Sequence, residues 1–384
     1  MDFSLSEDDL ALQQSVRDFV EEQANTCWKE IDKTDELPPA LLQGAGRLGL
    51  FGLSIPQEFG GLGLNVVQKT LVHEMLGRGP WGLASYISVH TGIGCVGIIR
   101  FANEEQKKRY LPKMAAGEWL GSFALTEPNA GSDAGALQTR AERKGDSWIL
   151  NGHKTFITNA PHAHHFFVFA RTEKGITAFI VDADSPGVQI GQVFDTLGHQ
   201  GSRISEIVFD EARIPAEALV GKEGEGFEYA KRCLSEGRTT LAGRCVGAGQ
   251  KAMELALEYA EQRKTFGKPL AEHQTIAFRL AQMSARTEAS RLLVYRSAWL
   301  LDRGQPAIRE SSTAKLVAAE NLWQTVDDAV QIHGGNGYVR AEYMIERIFR
   351  DARVVRVYDG SSEVQQIVIA GRLRKGDVET SWQS

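Results

Sequence analysis

Cysteine is scarce in this chain. Four residues, Cys27, Cys95, Cys233 and Cys245, are all that 384 positions hold, and none stands in a C-x-x-C pair. A disulfide framework and a cysteine-ligated zinc site are thereby set aside, and the four read as buried apolar residues of a reducing compartment. Basic charge is also in short supply: 43 Lys and Arg face 49 Asp and Glu, for a net charge of −6. A general nucleic-acid binder needs a basic face, so that class is excluded, while a local basic site for an anionic ligand stays open. No uninterrupted apolar run reads as long enough to span a bilayer. The start, Met1-Asp-Phe-Ser-Leu-Ser-Glu-Asp-Asp, lacks the basic residues and apolar core of a signal peptide. A cytoplasmic protein with no membrane span is the expectation. His162, His164 and His165 stand together but no carboxylate or cysteine accompanies them at motif spacing. They read as a solvated loop, with no metal site. Internal repeats and low-complexity tracts are absent.

What is present is ordinary in bulk and informative in order. Hydrophobic residues make up 42% and charged residues 24%, as in a globular protein. The length exceeds what one hydrophobic core supports, so two or three packed units are expected. Residues 1–120 read as helical: Ser6 before Glu-Asp-Asp is an N-cap signal, Leu12, Val16, Phe19 and Val20 recur at helical spacing, and Pro38-Pro39 opens another helix. Gly60-Gly61-Leu-Gly63 reads as a loop, and Val66 to Ile99 as buried helices. Residues 121–222 change period. Phe166-Phe-Val-Phe169, Ala178-Phe-Ile-Val181 and Ile207-Val-Phe209 are β-branched and aromatic, with turn signals at Asn151-Gly152, Lys174-Gly175 and Pro186-Gly187. That predicts a domain of antiparallel strands. Residues 223–384 return to a period of 3.6, with core stripes at Met253, Ala256, Leu257 and Ala260 and at Leu316, Ala319, Trp323, Val326 and Val330. Long periodic helices of this kind predict a bundle.

Four strings carry the chemistry. Phe123-Ala-Leu-Thr-Glu-Pro-Asn-Ala-Gly-Ser-Asp133 ends a predicted strand in a turn whose hydroxyls and N–H groups suit the edge of a flat heterocycle. Read alone it is also an ordinary polar loop, since turns favour these residues. Gln331-Ile-His-Gly-Gly-Asn-Gly337 is a glycine-rich turn directly after an amphipathic helix, which suits a phosphate-bearing cofactor held by N–H groups. Val357-Tyr-Asp-Gly-Ser-Ser-Glu363 sets a lone carboxylate, Asp359, in a tight turn, although Asp-Gly by itself is a common turn pair. Arg263-Lys-Thr-Phe-Gly267 adds an arginine, whose planar fork suits a diphosphate.

Taken together, and with Trp148-Ile-Leu-Asn-Gly-His-Lys-Thr-Phe-Ile-Thr-Asn159, these strings resemble the acyl-CoA dehydrogenase family of FAD-dependent flavoenzymes, from about residue 5 to residue 374. The resemblance implies a mainly α fold with a central β domain: an N-terminal helical domain, a middle β-barrel or sandwich and a C-terminal four-helix bundle. It places FAD between the β domain and the bundle. It implies cofactor contacts at Phe123, Leu125, Thr126, Gly131, Ser132, Phe156, Thr158, Ser361 and Glu363. Arg263, Phe266, Gln274, Gln331, Gly334 and Gly335 match positions that reach the cofactor of a neighbouring subunit, so a homotetramer is implied. Asp359 falls at the position of the catalytic base, with Ser132, Arg238, Tyr358 and Gly360 at substrate-contacting positions. The family usually carries Glu where this chain has Asp359, and often Trp where it has Phe156. Asp is shorter by one methylene, which retracts the carboxylate by roughly 1.5 Å. Relatives acting on cyclic acyl thioesters and the nitroalkane oxidases resemble this chain in using Asp. The implied reaction is α,β-dehydrogenation of an acyl-CoA, straight, branched or cyclic, with electrons passed to an electron-transferring flavoprotein. An oxidase of the same fold acting on a nitroalkane, and a member that binds FAD without turnover, remain the alternatives. Some relatives place the base on a helix directly before an Arg; here that position is Gly237, with Glu236 one residue off as a weaker candidate.

Overall fold

The computed structural model describes residues 4–377. Met1 to Phe3, part of the acidic start discussed above, lie outside them. Helices give way to strands at Gly121 and strands to helices at Gly226. The fold is helical at both ends with a sheet domain in the middle, 57% helical and so mainly α, as expected. By internal contacts the chain forms two compact units. A sheet unit contains Glu30–Asn65 and Gly82–Gly237, and a bundle unit contains Val66–Trp81, the chain from Arg238 onward and the residues up to Lys29.

The sheet unit is built on β1 (Gly121–Ala124), β2 (Arg140–Lys144), β3 (Ser147–Thr158), β4 (His165–Thr172), β5 (Gly175–Asp182), β6 (Val188–Phe194), β7 (Ile204–Pro215) and β8 (Leu219–Val220). They pair in the order β6-β7-β3-β2-β4-β5-β8, with β1 also on β4. The pairings are antiparallel with two exceptions: β1 lies parallel to β4 throughout, and β2 meets β4 in parallel at one position. The all-antiparallel expectation fails there because no hairpin joins these strands, so no turn dictates their direction. A second correction concerns Asn151-Gly152, which is no turn. It lies inside β3, at a register shift against β7. A Cβ added at Gly152 would come within 2.4 Å of Thr139 Oγ1, so this glycine admits a bulge and a close neighbour. The reversal falls one hairpin earlier, at Gly145 with φ 66°.

Successive residues of a strand face opposite sides. On β4, Phe167 and Phe169 join one core, with Leu111, Met114, Tyr229 and Cys233 from helices, while Phe166, Val168 and Ala170 join a second, with Trp148, Leu150, Ile207 and Phe209 from other strands. Burial on both faces explains why the strand reads as an unbroken apolar run. The run starts at His165, which is fully buried. Burial pushes its imidazole down to about 3. Only His164 of the three clustered histidines is exposed, so the solvated-loop expectation fails at His165, where the strand has already begun. Among the described residues no group of three metal ligands exists. One stretch, Trp81–Phe101, does reach the length and hydropathy of a membrane span, contrary to the sequence reading. It is 67% buried within the protein and breaks at Gly92 into Trp81–Thr91 and Ile93–Phe101, as core helices do.

In the bundle unit, Gln274–Asp302, Ile308–His333, Met344–Ala352 and the part of Gly226–Gln262 from Arg238 onward carry the core, while Ser362–Arg374 packs on Ile308–His333 and Val66–Gly77 on Gln274–Asp302. Alanines at 242, 248, 252, 256, 314, 318, 319 and 329 dominate it, which lets helices approach closely. A Cβ added at Gly247 would sit 1.7 Å from the Glu74 carbonyl oxygen. Leu257, expected in the core, is 41% exposed. On Ile308–His333 the predicted Ala319 and Val326 are buried, Trp323 and Val330 pack half-buried against the core, and Leu316 is half-buried, but the buried side also takes in Ala314, Lys315, Ala318, Leu322 and Ala329. This helix contacts both Gln274–Asp302 and Ser362–Arg374, so its buried face is wider than one stripe. At the start of the chain Ser6 Oγ accepts the Asp9 N–H and caps Glu7–Asp18, as expected. The helix then widens into a π-helical stretch, Phe19–Ala24, that keeps Phe19 and Val20 buried.

Candidate active site

In the sheet unit, the Phe123–Asp133 string leaves β1 and turns back at once. Phe123 and Leu125 are buried in the core, so their side chains do not face a surface ligand. Glu127 and Ala130 exchange backbone hydrogen bonds of 3.1 Å, closing the turn. The turn is tied to β3 from below. Lys154, with no exposed area, donates from Nζ to Glu127 Oε1 at 2.8 Å and to the Leu125 carbonyl at 3.0 Å. The Glu127 carboxylate also accepts the N–H groups of Gln138 at 2.5 Å and Thr139 at 2.9 Å. Burial alone would raise the Glu127 pKa, but Lys154 and these donors outweigh it and hold it low. Gly131 and Ser132 are exposed on the fixed turn, and Thr126 and Thr158 are half-buried. Beside them Phe156 projects outward, 64% exposed, with φ 55° at a register shift of β3. A strand aromatic ordinarily packs in the core, and a bulky residue at positive φ is uncommon, so the bulge re-aims this ring. Its only aromatic neighbour among the described residues is Phe194, at a centroid distance of 5.0 Å. Glu236 pairs with Arg100 at 2.6 Å, which commits its carboxylate.

In the bundle unit, Asp359 sits between the short helix Arg353–Arg356 and Ser362–Arg374, with φ 53°, and Gly360 follows with φ 86°. Gly360 adopts such a φ freely, but Asp359 carries a Cβ and needs external support. That support reaches the carbonyl oxygens of both. The Asp359 carbonyl accepts Arg238 Nε at 3.3 Å and Gln365 Nε2 at 3.1 Å. The Gly360 carbonyl accepts Lys315 Nζ at 2.8 Å and Gln365 Nε2 at 2.8 Å. Ser361 then caps the next helix through the Val364 N–H, and Glu363 is exposed in its first turn. The Asp359 carboxylate itself has no hydrogen bond or ion pair among the described residues. Desolvation raises its pKa above the usual carboxylate range, while the Lys315, Arg244 and Arg238 charges pull against that rise. Next to it the Tyr358 hydroxyl lies 3.4 Å from the Arg244 guanidinium.

Two further groups stand on the surface of the same unit. Lys264–Thr265 and Lys268–Pro269 form a two-residue hairpin, with Phe266 at φ 51° and Gly267 at φ 82°. That tip leaves Phe266 97% exposed. Arg263 and Gln274 flank it, both exposed and without a side-chain partner among the described residues. Gln331 and Gly335 are likewise exposed, around Gly334 at φ 58°, which ends Ile308–His333.

Models of the acyl-CoA dehydrogenase N-terminal, middle and C-terminal domains match residues 6–118, 122–212 and 224–374. The chain belongs to the acyl-CoA dehydrogenase family. It is 41% identical to an acyl-CoA dehydrogenase of Bacillus subtilis over 97% of this chain and 99% of that one. Among solved structures it superposes on butyryl-CoA dehydrogenase from Megasphaera elsdenii with TM-score 0.94 and 37% identity, covering 97% of this chain and 100% of that one. A structure described as the electron transferring flavoprotein of Acidaminococcus fermentans matches with the same score and identity over 97% and 99%. As a member of this family the protein is a FAD-dependent oxidoreductase.

The donor set fits FAD. The sheet unit offers an exposed aromatic face at Phe156, three hydroxyls at Thr126, Ser132 and Thr158 without side-chain partners among the described residues, and a rigid turn. Neutral hydrogen-bonding groups of this kind suit a flat heterocycle. Arg263 offers a fork suited to a diphosphate. Within each unit the structure gathers the residues singled out from sequence: Thr126, Gly131, Ser132, Phe156 and Thr158 in one, Arg238, Tyr358, Asp359 and Gly360 in the other. The sequence reading missed the groups that hold them, Glu127, Lys154, Lys315 and Gln365. A signal existed for three. Glu127 and Lys154 lie inside quoted strings, and Lys315 falls on the apolar side of its helix between Ala314 and Ala318.

Proposed function

We propose that the protein removes the α- and β-hydrogens of an acyl-CoA thioester, with Asp359 as the base. The observation that carries this is a carboxylate with no partner among the described residues, on a turn fixed through its own carbonyls, with proton affinity raised by burial. A weakly acidic α-carbon needs such a desolvated base. When bound, FAD supplies the acceptor for the β-hydrogen as hydride. Asp359 takes the α-proton as the α-C–H bond breaks and its electrons form the new double bond. The backbone N–H of Asp359, without a partner among the described residues, polarises the thioester carbonyl in this reading, a fixed donor of the kind that stabilises an enolate-like oxygen. Phe156 supplies the flat surface against the cofactor, and Thr158 a donor at its edge.

The acyl chain is small or cyclic in this reading. A base shortened by roughly 1.5 Å suits a substrate that comes closer. Butyryl-CoA dehydrogenase among the neighbours supports the short-chain form, and the Asp supports the cyclic one. Electrons pass to an electron-transferring flavoprotein. Arg263, Phe266, Gln274, Gln331, Gly334 and Gly335, exposed on one unit, meet the cofactor of a second copy, which makes the working assembly a homotetramer, located in the cytoplasm.

The test is an anaerobic titration of the yellow protein with butyryl-, isobutyryl- and cyclohexanecarbonyl-CoA. Bleaching of the oxidised flavin band by one of these, abolished by Asp359→Asn, is the expected result. A flavin that no thioester bleaches sinks the reading, and oxygen uptake with a nitroalkane then assigns an oxidase.

A further inference from the structure

The Asp359 turn has a support with no place in the reaction as described so far. Lys315, 1% exposed, reaches from the apolar side of Ile308–His333 to the Gly360 carbonyl at 2.8 Å. A lysine ammonium that deep is costly, and burial lowers its proton affinity. Carboxylates elsewhere in this protein form ion pairs readily, yet Lys315 makes no ion pair among the described residues. Its one recorded hydrogen bond goes to a carbonyl one residue beyond the candidate base.

We infer that Lys315 is the positioning residue of the base, fixing the Asp359-Gly360 turn by its hydrogen bond and setting the charge state of Asp359 by its field. This rests on Asp359 being the base. Asp359, a residue with a Cβ at positive φ, needs support from its surroundings, and the shorter carboxylate has little slack. Three side chains from three helices clamp the two carbonyls: Arg238, Lys315 and Gln365. Gln365 is neutral and lies on the helix that follows the turn, so it moves with it. Arg238 holds the Asp359 carbonyl at 3.3 Å, a longer bond than that of Lys315. Lys315 is therefore the short, charged tether from an element outside the turn. Because it bonds the carbonyl and not the carboxylate, it leaves the carboxylate oxygens free for substrate.

The charged and titratable groups around Asp359 are Lys315, Arg244 and Arg238, with the Tyr358 phenol beside it, the Cys245 thiol, Glu320 and Glu363 near Lys315, and Asp351 near Tyr358. Burial keeps Cys245 protonated, pushing its thiol up to about 12. Glu320 is engaged by Arg356 at 2.9 Å and Ser362 at 2.6 Å. The cations favour the ionised carboxylate. Removing the Lys315 charge must raise the proton affinity of Asp359, so the base form appears only at higher pH.

Lys315→Met removes charge and donor, Lys315→Gln removes the charge but keeps a shorter donor, and Lys315→Arg keeps both. Each holoprotein is mixed anaerobically in a stopped flow with butyryl-CoA and with cyclohexanecarbonyl-CoA, and the bleaching rate is followed from pH 5.5 to 9. FAD content, melting temperature and affinity for the product-like crotonyl-CoA are measured in parallel. The expected result for Lys315→Met is a fall of about a hundredfold in limiting rate, the effect of a misplacement near 1 Å. Its acid limb should move by a unit or more to higher pH, with FAD content and crotonyl-CoA affinity within a few-fold of the parent. Lys315→Gln should share the displaced limb, and Lys315→Arg should restore it. An unmoved limb in both neutral variants, or a rate that falls only with FAD content, overturns the inference. Should Lys315→Met not fold, the limb of Lys315→Gln against Lys315→Arg decides it. Asp359→Asn is run alongside: if it still bleaches, the base assignment fails, whatever Lys315 does.

Discussion

Breaking the Lys154–Glu127 pair should loosen the turn proposed to meet the flavin, and the size of the effect follows from burial. The Lys154 side chain is 0% and the Glu127 side chain 5% exposed, at 2.8 Å. Removing one partner of so buried a pair costs about 3–5 kcal/mol, because the other charge is left unpaired. The two single variants should differ. In Glu127→Gln the stranded group is Lys154, whose pKa is already lowered to about 8 by burial despite its partner. It can shed its proton and become a neutral amine at modest cost. In Lys154→Met the stranded group is Glu127, which two backbone N–H donors hold in its ionised form. Lys154→Met should therefore cost more, near the upper end of that range. At roughly 2–4 °C per kcal/mol for a unit of this size, the Lys154→Met melting temperature should fall by roughly 10–20 °C. Flavin release, read as a rise in free-flavin fluorescence, should precede global unfolding, since the Glu127 turn is the part directly freed. The assay is thermal unfolding of the holoprotein by circular dichroism and flavin fluorescence, with Glu127→Gln/Lys154→Met closing a double-mutant cycle. A coupling below about 1 kcal/mol, or a Lys154→Met protein that holds its flavin to the same temperature as the parent, refutes the reasoning.

Two more expectations rest on separate groups. His73, His90 and His165 are buried and neutral, pushed down to about 3, 4 and 3, chiefly by desolvation. Their folded pKa values lie below the unfolded value near 6.5, so the stability they contribute is complete above that value and is lost as pH falls through the window between 6.5 and 3. At pH 5 each should cost about 2 kcal/mol relative to pH 7. Chemical denaturation at the two pH values should show the loss, His165→Phe should reduce it by about a third, and a flat profile would contradict the burial argument. Asp359→Glu extends the base by one methylene without removing it. With the thioester that bleaches the parent fastest, the limiting rate should fall by about tenfold to a hundredfold, and a faster Glu variant would show that the Asp is not matched to its substrate.

The order of helices, strands and helices was legible because periodicity is a local property. A period of 3.6 in the Met253–Ala260 stretch and the apolar runs of β4 and β5 report which backbone geometry buries their side chains. The strings around Thr126, Phe156, Arg263, Gln331 and Asp359 were legible through resemblance to a family, and the chain belongs to that family. Periodicity could not say which turn a glycine serves: Gly152 admits a bulge inside β3, because Thr139, just before the neighbouring strand β2, leaves no room for a Cβ there. Nor could it say that Phe156 leaves the core, which depends on a register shift between β3 and β7, strands paired across more than 40 residues of chain. Leu257 fits a helical stripe and is exposed, because its helix turns another side to its neighbours. Above all, the sequence places Asp359 in a turn but says nothing of what holds the turn. Arg238, Lys315 and Gln365 come from three helices and meet at two carbonyl oxygens. Residue types and spacings decide which chemistry is available; which donors converge on one backbone oxygen is decided by packing between distant segments, and only the folded chain specifies that.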